Sequence, residues 1–116
     1  MSRHDPLITL RRIEVFAQQA AALGSDGSRA QLDSDWKYRL AAERAVELIG
    51  EAVTRLPSEL RERHPQIPWR EIIGMHNRLT HGYDGVDCDI VWDVLHVRAA
   101  DLVASLPAIL ATETGE

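Results

Sequence analysis

Apolar residues recur along most of the chain at intervals of three and four, the spacing of one face of an α-helix. A first run follows Asp5-Pro6, where aspartate can cap free amides and proline suits the first turn. The pattern predicts a helix from there to Gly24 and a loop over residues 24–28, which have the composition of a turn. The apolar positions of this helix are Leu10, Ile13, Ala17 and Ala20.

A second helix is predicted to begin near Asp33 or Ser34 and to end before Pro57. Its apolar positions step by four and three, and its alanines permit close approach of a neighbouring helix. They are Tyr38, Ala42, Ala45, Ile49, Ala52 and Leu56. Residues 57–60 predict a short extra helix that fades at His64-Pro65.

Two more helices are predicted in the second half of the chain. Pro68 begins the third, which continues through Trp69, Ile72, Ile73, Met75 and Leu79 and ends around Gly82. Asp87 or a neighbour caps the last helix, and Pro107 is expected to kink or shorten it. The apolar side of the last helix carries Val91, Leu95, Leu102, Leu106 and Ile109.

These elements predict the fold class. No stretch alternates apolar and polar residues, and no hairpin turn signal is present in the sequence. Four helices with short connections are typical of an up-and-down bundle. We therefore expect an all-α, up-and-down four-helix bundle with a short extra helix, formed by residues 1–116 as a single domain.

Composition and charge narrow the possible functions. The chain is 45% hydrophobic and 27% charged, as in a globular protein, and its formal charge is −5. A sequence-independent nucleic-acid coat needs a broad basic surface, so that class is disfavoured. The charge is nevertheless polarised, because residues 61–81 hold four arginines and three histidines against two glutamates, and four aspartates follow in residues 84–93.

The remaining composition predicts a cytoplasmic protein. Cys88 is alone, no Cys/His spacing suggests zinc, and acids such as Asp87 and Asp89 are common in a first helical turn. No signal peptide and no run of roughly 20 apolar residues is apparent. We expect no metal, no cofactor and no membrane association, and we find no evident partner for His64 or His96.

The candidate chemistry lies within eight positions, at His76, Arg78, His81 and Tyr83. Histidine can exchange protons near neutral pH, arginine can bind phosphate oxygens, and tyrosine can bind phosphate or stack on a base. These groups suit cleavage of an RNA phosphodiester without a metal. Each also has an ordinary role, as helix capping, solvated charge or packing, so spacing alone supports only a helical bundle with a polar helix end.

A longer block of sequence resembles the HepT-like branch of the HEPN superfamily. The resemblance covers about residues 38–92 and includes residues 45–52 and 60–65. Its densest part consists of Pro68-Trp69-Arg70-Glu71-Ile72-Ile73-Gly74-Met75, Asn77-Arg78-Leu79, His81-Gly82-Tyr83, Val86-Asp87 and Ile90-Val91-Trp92.

The resemblance implies a metal-independent endoribonuclease toxin whose active site forms at a homodimer interface. The family signature is an arginine, four to six residues, a histidine, any residue and a tyrosine. His81 and Tyr83 match its last two members, and Asn77 matches the polar residue that follows the arginine. The resemblance further implies a nucleotidyltransferase antitoxin of the MNT type, which silences the toxin by adding AMP to Tyr83.

The signature arginine is missing. Four residues before His81 separate it from His76, where similar proteins have arginine, and Arg78 is too close to fill the signature. We retain Arg78 as a candidate for substrate binding. Histidine offers no bidentate fork, and loss of a main transition-state stabiliser typically costs about a hundredfold or more in rate.

Three explanations of His76 remain open: a natural weakened variant, a substitution that allows the toxin to be produced, or a binding protein that has lost cleavage. The main alternative function is a non-catalytic helical adaptor or antitoxin subunit that binds a nucleotidyltransferase. His76 favours that alternative, whereas His81 and Tyr83 in frame favour the nuclease. A nucleotide-binding subunit for a transferase would explain a polar pocket but leaves the tyrosine unexplained.

Overall fold

A computed structural model of the protein describes residues 5–81 and 87–115, and within those ranges every regular element is helical. The last three elements follow one another without a break and form one long final segment. In chain order the elements are α1 (Pro6–Asp26), α2 (Gln31–Ser34), α3 (Trp36–Thr54), α4 (Ser58–Arg63), α5 (Trp69–His81), α6 (Cys88–Asp93), a π-helical turn (Val94–Arg98) and α7 (Ala99–Thr114).

The four long segments pack side by side around one apolar core, which confirms the predicted all-α bundle. Helix α1 packs against both α3 and the final segment, and α5 packs on α3. The apolar positions predicted for the helices are largely buried, with Leu10, Ile13, Ala42 and Leu106 fully enclosed. Burial of these faces supplies the main driving force for folding.

Aspartate caps set where three of the helices begin. Asp5, Asp35 and Asp87 each accept a hydrogen bond, at 2.9 to 3.0 Å, from the backbone N–H two residues later. The caps predicted at Asp5 and Asp87 are confirmed. Helix α3, however, begins at Trp36, because residues 31–34 form the separate turn α2 that buries Leu32.

The loop predicted at Gly24 begins two residues too early. Helix α1 continues to Asp26, and Gly24 is buried inside it. A β-carbon at Gly24 would collide with the backbone carbonyl of Leu95 in the π-helical turn. Gly24 therefore permits close packing of two helices, and it does not end one.

Pro107 does not shorten the last helix, because α7 continues through it to Thr114. The irregularity lies earlier, in the π-helical turn, where the N–H of Ala99 donates to the carbonyl of Val94 five residues before it. Turns of this kind accommodate an extra residue and often occur near functional sites.

The final segment, Cys88–Thr114, is long and apolar enough to cross a membrane by length and composition, with a mean hydropathy of 1.5 in its most apolar window. No such segment was expected from the sequence. Length and composition are weak evidence for a membrane span, since a helix that packs in a protein core passes the same test. Here Val91, Leu95, Leu102 and Leu106 face the bundle core.

A polar cluster joins the end of α7 to the end of α4. His64 is buried, and its Nε2 lies 2.7 Å from Oε2 of Glu113, so the expectation that His64 has no evident partner was wrong. Arg63 donates to both carboxylate oxygens of Glu113, at 2.6 and 3.1 Å. The partners are 49 and 50 residues apart, a separation that leaves no local signal. His96 also has a neighbour, since its ring stacks on Trp92.

These hydrogen bonds stabilise the ionised form of Glu113. The hydrogen bond from Arg63, followed by that from His64, lowers the pKa of Glu113 from 4.5 to about 2. A carboxylate whose pKa is lowered by folding stabilises the folded state at pH values above its unfolded-state pKa. This contribution is lost as the pH falls through the folded-state pKa.

We predict that Glu113→Gln lowers the free energy of unfolding at pH 7 by about 2 kcal/mol, since it weakens charge-assisted hydrogen bonds in which His64 and Glu113 are enclosed and Arg63 is half exposed. Urea unfolding between pH 7 and pH 2 checks this. The difference between the parent and Glu113→Gln should shrink as the pH falls from 4.5 to about 2. Glu62→Gln, on the exposed side of α4, is the matched control. Equal effects of the two substitutions would contradict this account.

Candidate functional site

The predicted site residues lie on the last turns of α5. His76, Asn77 and Arg78 are within the helix, and His81 is its final residue. For His81 the structure describes the helical backbone, while Tyr83 lies outside the described residues. The expectation that the helix persists from Arg78 to His81 is confirmed, so these two positions, three apart, share a face.

Helix α5 separates an apolar side from a polar one. Trp69, Ile72 and Met75 are buried against the bundle, whereas Asn77 and Arg78 are exposed. Asn77 and His81 are four residues apart, which also places them on one face of the helix. The same packing that fixes α5 on α3 thus directs the candidate polar positions away from the core.

His76 is placed differently from Asn77 and Arg78. It is half-buried, and its ring lies directly over Gly50 of α3. A β-carbon at Gly50 would collide with Cβ and Cγ of His76, so glycine is what admits the ring. His76 therefore lies at the seam between α3 and α5.

An open cleft of about 850 Å³ lies beside this helix end, between α5 and the segment from α6 to the π-helical turn. Three arginines line the cleft, and Arg78 alone among them was a candidate from the sequence. Arg70 could have been found, because Arg70, Gly74 and Arg78 are spaced four apart on one helix. Arg98 could not, since it reaches the cleft from a segment distant in sequence. The arginines are Arg70, Arg78 and Arg98.

Carboxylates of the cleft are held in ion pairs. Arg98 donates to Glu71 at 2.7 Å and to Asp93 at 3.1 Å, and Arg29 donates to Asp89 at 2.9 Å. The hydrogen bond to Asp93, together with the charge of Glu71, raises the pKa of Arg98. These guanidinium groups remain charged and offset part of the negative charge of the cleft wall, because one arginine serves two of its carboxylates.

The aspartates considered as a metal pair have other roles. Asp87 caps α6, and Asp89 binds Arg29. Within residues 5–81 and 87–115, no group of three or more histidine, cysteine, aspartate or glutamate side chains is arranged to hold a metal ion.

Comparison with known proteins identifies the family. Residues 8–109 match the family described as Ribonuclease HepT-like. The match covers most of the chain, and the protein therefore belongs to that family, as the sequence resemblance indicated.

Several curated relatives are similar over part of their length. "Putative RNase TTE0752" of Caldanaerobacter subterraneus subsp. tengcongensis is 43% identical over 70 residues, which are 60% of this chain and 62% of the relative. "Probable ribonuclease HepT" of Thermococcus cleftensis is 45% identical over 58 residues, 50% of this chain and 53% of the relative. "Putative RNase MJ1380" of Methanocaldococcus jannaschii is 32% identical over 82% of this chain and 87% of the relative. No solved structure matches significantly.

We predict that Gly50→Ala costs about 1–3 kcal/mol of stability, because the added methyl group forces His76 and α5 away from α3. In a His76→Ala background the same substitution should cost less, since the colliding ring is absent. A double-mutant cycle measured by urea unfolding tests the contact. Additive effects of the two substitutions would show that Gly50 and His76 do not pack together.

Proposed function

We propose that this protein is a metal-independent endoribonuclease, the toxin of a HEPN/MNT toxin–antitoxin pair. The observation that carries the proposal is the match to the Ribonuclease HepT-like family over residues 8–109, together with Asn77, His81 and Tyr83 in frame. The exposed side of α5, which carries Asn77 and ends at His81, supports a site on the surface of the bundle.

In this proposal His81 handles protons, and no metal is needed. One histidine removes the proton of a ribose 2′-hydroxyl, and O2′ attacks the adjacent phosphorus. The bond from phosphorus to O5′ breaks, and a second histidine donates its proton to the departing oxygen. The products are a 2′,3′-cyclic phosphate and a 5′-hydroxyl, which conserves every atom of the substrate. Asn77 and Tyr83 are proposed to bind the phosphate while charge builds on its oxygens.

The two histidines come from two copies of the chain in a homodimer. An exposed apolar pair on α3 supports self-association: Trp36 is 61% and Leu40 53% exposed, and they are four residues apart on the helix. Trp69, by contrast, is buried in the core and is not available to a second copy.

His76 is proposed to weaken the enzyme. Arginine can grip two phosphate oxygens at once, and histidine cannot. The half-buried seat of His76 on Gly50 favours this view, because the ring is partly engaged in packing with α3. The same observation supports the second candidate function, a non-catalytic adaptor that binds a nucleotidyltransferase without cutting RNA.

A cleavage assay distinguishes the nuclease from the adaptor. The chain and its His76→Arg variant are incubated with cellular RNA in EDTA, with His81→Ala in each background as the control. We expect both to cut, the arginine variant about a hundredfold faster or more, because arginine restores a main transition-state stabiliser. His81→Ala should abolish cleavage in each background.

Cleavage by the arginine variant alone would identify a disabled toxin on an intact scaffold. Absence of cleavage by both proteins, each folded and dimeric, would contradict the nuclease and leave the adaptor as the better account. Cleavage that survives His81→Ala would exclude the proposed role of His81.

Silencing by the partner is tested on Tyr83. Incubation with an MNT-type nucleotidyltransferase and ATP should transfer AMP from ATP to the tyrosine hydroxyl, with release of pyrophosphate. The added AMP is measured by intact mass, and the modification should stop RNA cleavage. Tyr83→Phe lacks the acceptor hydroxyl and should remain unmodified, whereas Tyr38→Phe should be modified like the parent. Modification of Tyr83→Phe to the same extent would place the acceptor elsewhere.

A further inference from the structure

We propose that the cleft between α5 and α6 binds single-stranded RNA and leads it toward the position of His81, with Arg70 and Arg78 as phosphate-binding residues. This inference rests on the proposed ribonuclease function. It adds a binding surface outside the arginine–histidine–tyrosine signature, and it assigns a role to Arg70.

Two arginines of the cleft remain available to an anion. Glu71, Asp89 and Asp93 line it, and each accepts a hydrogen bond from Arg98 or Arg29. Arg70 and Arg78 have no ion pair with any residue in the described ranges. Two guanidinium groups are thus available to an anion beside carboxylates that each already accept a hydrogen bond from another arginine, and a guanidinium fork fits phosphate oxygens.

The spacing of the cleft residues along α5 also suits a strand of RNA. Arg70, Gly74 and Arg78 line the cleft and follow one another at intervals of four, so they form a stripe along the helix. At a rise of about 1.5 Å per residue, the two arginines are about 12 Å apart along the axis. The position of His81 is three residues beyond Arg78 and seven beyond Gly74, which continues the same stripe. Two guanidinium groups so spaced suit a chain of successive phosphates better than a single anion.

The cleft is open at Gly74, between the two arginines. Nothing lies within 4 Å of the place where a β-carbon of Gly74 would be, in contrast to Gly24 and Gly50, which are in tight contact. Gly74 therefore leaves space between the two arginines without serving helix packing. A ribose or base can approach the backbone of α5 there, while phosphates lie against the arginines.

The same glycine provides a test that leaves the fold intact. Gly74→Ala adds one methyl group to open space and should keep the cleft accessible, whereas Gly74→Trp should fill it. Arg70→Gln and Arg78→Gln remove the proposed phosphate contacts. Arg11→Gln, an exposed arginine of α1 outside the cleft, makes the same change of charge elsewhere.

Binding is measured by fluorescence anisotropy with a labelled, unstructured RNA oligonucleotide, in a His81→Ala background so that the RNA stays intact. Losing one phosphate contact removes about 0.7 from the slope of log affinity against log salt, which is about fivefold in affinity at 0.1 M salt relative to 1 M. Arg70→Gln and Arg78→Gln should each show this loss. Gly74→Trp should weaken RNA binding at least as much. Gly74→Ala and Arg11→Gln should bind the RNA with about the affinity of the parent.

Equal weakening by Arg11→Gln and the cleft variants would overturn the inference and leave the ribonuclease proposal standing, since binding would then depend on net charge alone. Unchanged binding in the Arg70, Arg78 and folded Gly74→Trp variants would also overturn it. If neither the His81→Ala parent nor any variant binds the RNA, the inference fails together with the ribonuclease proposal. Loss of transferase binding in the cleft variants, with RNA binding intact, would reassign the cleft to a protein partner.

Discussion

The burial of one side of α5 against α3 is the constraint from which the arrangement of the candidate site follows. Ile72 and Met75 are enclosed in the core, and Gly50 lets His76 lie directly on α3. A helix fixed along one side has a defined opposite side. Asn77 and Arg78 are exposed for that reason, and the cleft opens along the part of α5 that the bundle does not cover.

The start of α5, at the opposite end from His81, is held by a second set of contacts. The indole Nε1 of Trp69 donates to the backbone carbonyl of His64 at 2.9 Å, and the ring of His64 contacts Glu113 at the end of α7. The start of α5 is thereby tied to the last turn of the protein. The cluster lies at the opposite end of α5 from His81 and fixes the position of that helix.

Local signals made much of this fold predictable. The caps at Asp5 and Asp87 and the periodic apolar positions follow from interactions within a few residues, which a sequence displays directly. The features that were missed depend on distant partners. Gly24 resembles a helix end in the sequence, and its packing role follows from its contact with the carbonyl of Leu95. Likewise, no residue near His64 in the sequence indicates that Glu113 is its partner.

The candidate site also has a part that the local sequence predicts and a part that depends on distant residues. The order of Asn77, Arg78 and His81 along a helix was predictable, because it needs just the helical repeat. The cleft was not, because its second wall comes from α6 and the π-helical turn, and because the pairing of Arg98 with Glu71 and Asp93 decides which charges remain available. The half-buried seat of His76 likewise required the position of Gly50 on another helix.

We propose above all that His81 drives attack of a ribose 2′-hydroxyl on the neighbouring phosphate without a metal. The most direct measurement is the chemistry of the RNA ends, determined by mass spectrometry on an oligonucleotide cut in EDTA by the chain or its His76→Arg variant. The account predicts 2′,3′-cyclic phosphate and 5′-hydroxyl ends, and no cut where the 2′-hydroxyl is replaced by hydrogen. Ends with a 5′-phosphate and a 3′-hydroxyl, or cleavage at the deoxy position, would contradict it.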